Sequence, residues 1–152
     1  MLKLENKNAM VTGGSAGIGL GCAKSFAADG ANVLIMGRTA ERLEQAKDEL
    51  AAIEGAGDIE VFVGDAGRES DVEAAAQAAA RGGVLDIAVA NAGMGISAPI
   101  MGMASESWDQ VMQTNLSGTF YTIKHSARWM AKSGGGAICT ISSIAGVRPL
   151  RH

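Results

Sequence analysis

The sequence predicts an α/β protein organised as a doubly wound parallel sheet. Three observations carry this reading. Five short apolar runs recur along the chain, stretches with helical spacing lie between them, and a glycine-rich loop joins the first run to the first helical stretch. The runs are continuous rather than alternating, as in strands buried on both faces. Strand–helix alternation of this kind makes each connection a right-handed βαβ crossover.

The elements follow in order. Residues 9–11 form the first predicted strand, and Ile18, Cys22 and Phe26 then step by four, as on one helix face. Residues 33–36 give the second strand, followed by Leu43, Ala46, Leu50 and Ile53 at steps of three or four. The third strand is 59–63, and the helix after it, 69–81, is mostly alanine. The fourth strand is 87–90. A long helix over 105–132 then carries one stripe: Trp108, Val111, Met112, Leu116, Phe120, Ile123, Ala127 and Met130. The fifth strand is 137–141. Gly30, residues 55–57, Gly82, Gly83 and residues 134–136 follow the four helices, where left-handed C-terminal glycine belongs. Residues 1–152 read as a single domain, with no long linker and no fixed-period repeat.

Composition narrows the function classes. Glycine (21 residues) and alanine (27) make up close to a third of the 152 residues, which suits helices packed tightly on a sheet. The net charge is −3, which argues against nucleic acid or an anionic membrane bound by bulk charge. No stretch approaches the roughly 18 apolar residues of a membrane span, and the first ten residues hold no apolar secretory region. Cys22 and Cys139 form no metal-ligand or redox spacing, so both are expected as core filler in a reduced, cytoplasmic setting.

The chemistry-bearing segment is Thr12-Gly13-Gly14-Ser15-Ala16-Gly17-Ile18-Gly19. Glycines permit a tight turn and let backbone N–H groups reach a phosphate, and the helix N-terminus adds the positive end of its dipole. A glycine-rich loop alone could be an ordinary turn. Strand, loop, helix and second strand in sequence make it a nucleotide-binding, Rossmann-like fingerprint. The expected contacts are Gly13, Ser15, Gly17, Ile18 and Gly19.

The spacing Gly-x3-Gly-x-Gly resembles that of the short-chain dehydrogenase/reductase family. Three further pieces match in order: Asn91-Ala92-Gly93 after the fourth strand, Asn115 in the long helix, and Ser142-Ser143 after the fifth strand. Asp65 resembles the family's adenine-contacting aspartate, with Ala66 beside it. The resemblance implies five strands ordered 3-2-1-4-5. It also implies that Asn91, Ala92 and Gly93 support the cofactor, and that Asn115 lies at a local helix kink whose main chain serves a proton relay. Ser143 would hydrogen-bond the substrate oxygen. From the residues alone, Asn91 could equally cap a turn, and Asn115 could be a polar residue hydrogen-bonded in the core. If the fifth strand persisted, Ser142 and Ser143 would face opposite ways.

Cofactor choice turns on Met36-Gly37-Arg38 at the end of the second strand. A carboxylate there would take the ribose 2′-OH and favour NAD. None is present, and the Arg38 guanidinium suits a 2′-phosphate, so NADP is expected rather than NAD. The alternative for Arg38 is a solvated arginine at the start of the next helix. Ala16 departs from the basic residue that NADP-preferring members often carry at that position.

The family's proton donor is a tyrosine about a dozen residues past the serine, with a lysine four further on. The sequence has one tyrosine, Tyr121, with Lys124 three later, and both precede the serine. Tyr121 is therefore expected as a core or interface residue, and His125 and His152 form no triad pattern. The expectation is a reductase segment lacking the Tyr-x3-Lys, with residues 147–152 an ordinary loop of a partial or truncated product. The complete protein would exchange a hydride between NADP(H) and a small carbonyl or alcohol substrate and form a homo-oligomer. Alternatives are an NADP-binding module without catalysis, a non-functional oligomerising fragment, or an extended-family epimerase. Residues 97–103 could line a substrate pocket or form a surface loop.

Overall fold

The computed structural model describes residues 2–148. Five parallel strands form one sheet: β1 (Asn8–Thr12), β2 (Asn32–Gly37), β3 (Ile59–Val63), β4 (Ile87–Ala90) and β5 (Ala137–Thr140). Their order is β3-β2-β1-β4-β5. β1 lies in register with both central neighbours, Met10 opposite Leu34 on one side and Ala88 on the other.

The pleat sends alternate residues of each strand to opposite faces, and each face has its own helices. Ala9, Val11, Val33, Ile35, Ile59 and Val89 pack under α1 (Gly17–Ala28) and α2 (Ala40–Ala51), with Ala23, Leu43 and Leu50. Met10, Leu34, Met36 and Ala88 pack on the other side under α3 (Glu69–Ala79) and the later helix Gly118–Lys132, with Val72, Ala75 and Met130. Two covered faces are why the strand sequences read as unbroken apolar runs.

Two helical stripes differ from expectation. On α1 the buried positions are Gly19, Ala23 and Ala27. Ile18 is 64% exposed, while Cys22 and Phe26 are only partly buried. Small residues let α1 lie close to the sheet, so the largest side chains sit to the side of the contact. The long helix is three pieces: α4 (Ser105–Met112), a π-helical segment at Gln113–Ser117, and α5 (Gly118–Lys132). Its predicted stripe is largely outward: Trp108 is 53%, Leu116 60% and Phe120 56% exposed. The buried face of α5 is Gly118, Thr122, His125, Ser126 and Met130. Extra residues in a π turn rotate everything after them, so a stripe traced at constant spacing drifts off the contact.

Cys139 is another correction, since it is exposed rather than core. It lies on β5 on the α1/α2 side of the sheet, where no described helix covers it. Gly30 ends α1 at φ +89°, as its position predicted.

Candidate functional site

The site lies at the C-terminal ends of the strands, where the loops after β1, β2, β3, β4 and β5 converge. In open parallel sheets this is where ligands bind, at the point where strand order reverses. Here the reversal falls between β1 and β4.

The loop after β1 is fixed by its surroundings. Gly13 adopts φ +66°, which an L side chain rarely takes. A Cβ on Gly19 would collide with the Gly13 carbonyl and with the Asn91 amide, so only glycine lets the first turn of α1 close on the loop. No side chain caps the N-terminus of α1. Its first backbone N–H groups therefore stay open to an anion.

Asn91 binds this loop. Its Nδ2 donates to the carbonyls of Thr12 (2.9 Å) and Gly13 (3.1 Å). The N–H groups of Asn91 and Ala92 both donate to Thr12 Oγ1, at 3.1 and 3.2 Å. Thr12 Oγ1 donates in turn to the Val89 carbonyl at 3.3 Å. Asn91 thus acts as a brace between the β1 and β4 loops. Thr12, which opens the glycine-rich segment but was not among its expected contacts, is the hydroxyl at the centre of that brace. Its signal was a hydroxyl at the buried end of an apolar strand.

Two adjoining clefts flank the glycine loop. The first is lined by Gly13, Ser15, Arg38, Asp65, Ala66 and Gly93, among others. Arg42 and Thr114 also line it, and neither was anticipated. Arg42 lies in the first turn of α2, four residues beyond Arg38, and could have been read from that spacing. The second cleft is lined by Gly17, Ile18, Asn91, Asn115, Ser142 and Ser143, among others. Ile18 is exposed because it lines this cleft. Neither cleft includes any of residues 97–103, and Ile100 and Met101 are exposed on the surface.

Asn115 lies in the π segment and is exposed, not buried in the core. Its side chain grips the β4 loop from both ends: Nδ2 donates to the Met94 carbonyl at 2.8 Å, and Oδ1 accepts the Met94 N–H at 2.9 Å. Its backbone carbonyl accepts from Thr119 Oγ1 at 2.7 Å. Thr119, four residues on, was not anticipated, and helical spacing from Asn115 was the signal for it.

β5 ends at Thr140, before the serine pair, so the two serines do not alternate across a strand. Both line the second cleft. Ser143 caps the short turn Ile144–Gly146, its Oγ accepting the Ala145 N–H at 3.2 Å.

Tyr121 and Lys124 stand apart from Ser143. Tyr121 packs against the α3-side cluster, and Lys124 Nζ pairs with Glu69 Oε1 at 2.6 Å. His125 Nε2 meets the same oxygen at 3.1 Å. The Lys124 ammonium first, then the His125 ring, hold the Glu69 carboxyl below its ordinary value. His152 and residues 149–151 lie outside the described residues.

The profile of the short chain dehydrogenase family matches residues 7–152. The chain belongs to that family. A similar relative is the 3-oxoacyl-(acyl-carrier-protein) reductase FabG of Chlamydia muridarum, 40% identical over 146 residues, covering 95% of this chain and 58% of the relative. A short-chain type dehydrogenase/reductase structure from Mycobacterium ulcerans superposes with a TM-score of 0.93 at 38% identity, covering 99% of this chain and 56% of that one. L-sorbose reductase from Gluconobacter frateurii, solved with NADPH and L-sorbose, gives 0.91 at 31% identity over 98% of this chain and 57% of that one. NAD+-bound xylitol dehydrogenase gives 0.90 at 29% over 97% and 57%. The chain therefore spans a little over half the length of the relatives it matches. No described helix is long and apolar enough to cross a membrane.

The residues present fit a dinucleotide. The α1 N-terminus is uncapped, its first turn closes on the preceding loop only with glycine at position 19, and the cleft beside it carries Arg38 and Asp65.

Proposed function

We propose that this chain is the cofactor-binding part of an NADP(H)-dependent carbonyl/alcohol oxidoreductase. The observation that carries the NADP reading is Arg38. It lines the first cleft with Ser15, it has no salt-bridge partner among the described residues, and residues 36–38 contain no carboxylate. The pyrophosphate would lie on the open N–H groups of α1, and the 2′-phosphate would face Arg38. When bound, the cofactor would supply the hydride. Ser143 would orient the substrate oxygen, and Asn115 would hold the Met94 loop and the helix bend beside it. The substrate would be a small carbonyl or alcohol. One neighbour was solved with NADPH and another with NAD+, so titration decides the cofactor.

Calorimetry on wild type should show NADP(H) binding more tightly than NAD(H), with Arg38→Asp narrowing or reversing the order. Loss of a charge-assisted contact of about 1.5–3 kcal/mol corresponds to roughly 10- to 150-fold in affinity. Equal wild-type affinities would sink the NADP reading.

A second reading, cofactor binding without catalysis by these 152 residues, is favoured by Tyr121. The one tyrosine packs toward α3, and Lys124 is paired with Glu69. With no Tyr-x3-Lys, the 152-residue chain should oxidise NADPH with a ketone only at trace rates. General acid catalysis contributes about 10²–10⁴-fold. Robust turnover that Tyr121→Phe abolishes would overturn this reading. The outward stripe Trp108, Leu116 and Phe120 supports a homo-oligomer formed through this helix, since apolar patches of this kind are rarely left bare.

A further inference from the structure

The π segment grips two of the loops that border the clefts, those after β3 and β4. Asn115 holds the β4 loop at Met94. Two residues earlier, Gln113 reaches the opposite way, and its Nε2 donates to the Gly67 carbonyl at 2.6 Å. Gly67 lies in the loop after β3 that carries Asp65. Its own N–H donates to Asp65 Oδ1 at 2.8 Å. Gly67 is thus held at both ends, by Gln113 on its carbonyl and by Asp65 on its N–H.

The packing leaves this loop little room to shift. A Cβ on Gly67 would come within 3.3 Å of the Gln113 side chain. A Cβ on Gly118 would come within 2.7 Å of the Ala66 carbonyl, so α5 begins directly against the loop. Asp65 N–H donates to Asp71 Oδ2 at 2.9 Å, which fixes the backbone of the aspartate itself. Behind Gln113, the Tyr121 hydroxyl lies 3.5 Å from the same Nε2. With Oδ1 engaged by Gly67, Asp65 Oδ2 has no partner among the described residues, and Asp65 lines the cleft.

We propose that Gln113 is a positioning residue for base recognition: through Gly67 it fixes the Asp65 carboxylate so that its free oxygen accepts from the 6-amino group of adenine. This inference rests on the dinucleotide-binding reading above. A carboxylate held in one rotamer discriminates an amino group from a carbonyl, because the carbonyl of hypoxanthine leaves it facing another acceptor. A carboxylate free to turn away loses that discrimination.

The test compares NADP with its hypoxanthine analogue, nicotinamide hypoxanthine dinucleotide phosphate, by calorimetry on the full chain. Wild type should prefer the adenine form by about 10-fold or more, the range for a hydrogen bond to a charged group. Gln113→Met and Gln113→Glu keep the length of the side chain and remove the donor. Each should reduce the preference at least about three-fold by weakening NADP alone, toward the floor set by Asp65→Ala. Equal weakening of both dinucleotides would assign Gln113 a merely structural role and overturn the inference. So would unchanged preference in both variants, or a wild type that binds both bases equally. A wild type that binds neither dinucleotide would overturn the functional reading as well, which separates the two failures.

Discussion

Strands β2 and β5 belong to one sheet, and their sequences are both short apolar runs, yet they sit in different environments. β2 lies between β1 and β3, and Val33, Leu34, Ile35 and Met36 are all buried, two under each helical layer. Among the described residues β5 pairs with β4 alone. Ile138 packs against the α3-side cluster, while Ala137, Cys139 and Thr140 are exposed. Position in the strand order, not side-chain chemistry, separates the two. A residue is buried from both sides only where neighbouring strands and both helical layers extend past it.

The sharpest test is a pair of truncations. Ile35→Ala removes a fully buried side chain between α1 and α2, and should cost about 2–5 kcal/mol in urea unfolding. Cys139→Ala should stay within about 0.5 kcal/mol. Comparable losses at the two sites would mean that β5 is covered as fully as β2.

A smaller effect of opposite sign is expected on α5. Ser126 Oγ is buried, with no hydrogen-bond partner among the described residues. Ser126→Ala should therefore raise stability by about 1 kcal/mol, read from the same urea midpoints. A loss of stability would show that the hydroxyl has found a partner.

The α3–α5 contact should also show in acid. Because Lys124 and then His125 hold the Glu69 carboxyl below its ordinary value, ionised Glu69 stabilises the folded state. That contribution is complete above the unfolded value and disappears as pH falls through the lowered folded one. Lys124→Met should flatten the acid limb of the stability profile, and an unchanged limb would remove Glu69 from the account.

The smallest effect on stability, and the most specific to β5, concerns association. An unpaired apolar edge is a template for another strand. Thr140→Lys, at an exposed position, should lower self-association of the 152-residue chain in sedimentation with little change in unfolding. Ile138→Lys should instead destabilise, because Ile138 is partly buried against the α3-side cluster. If Thr140→Lys leaves association unchanged, the exposed helix stripe carries it instead.

Much of this molecule was legible from residues alone. Continuous apolar runs located all five strands to within a residue or two, because burial on two faces removes the need for alternation. The glycine spacing placed the loop after β1, since left-handed backbone and close helix approach leave few substitutes. Ser15 and Arg38 were read from the glycine loop and the end of the second strand, whereas Asp65, Asn91, Asn115 and Ser143 rested on the family resemblance; all six line the two clefts. What the sequence could not decide was direction. The π segment set which face of α5 is buried and aimed Gln113 and Asn115 at two different loops, and a change of helical register leaves no mark in residue spacing. The burial of Ala23 rather than Phe26, the exposure of Cys139, and the bracing of the glycine loop by Thr12 and Asn91 likewise depended on which element came to lie beside which. Each is a contact between residues distant in the chain, and only the packed sheet brings them together.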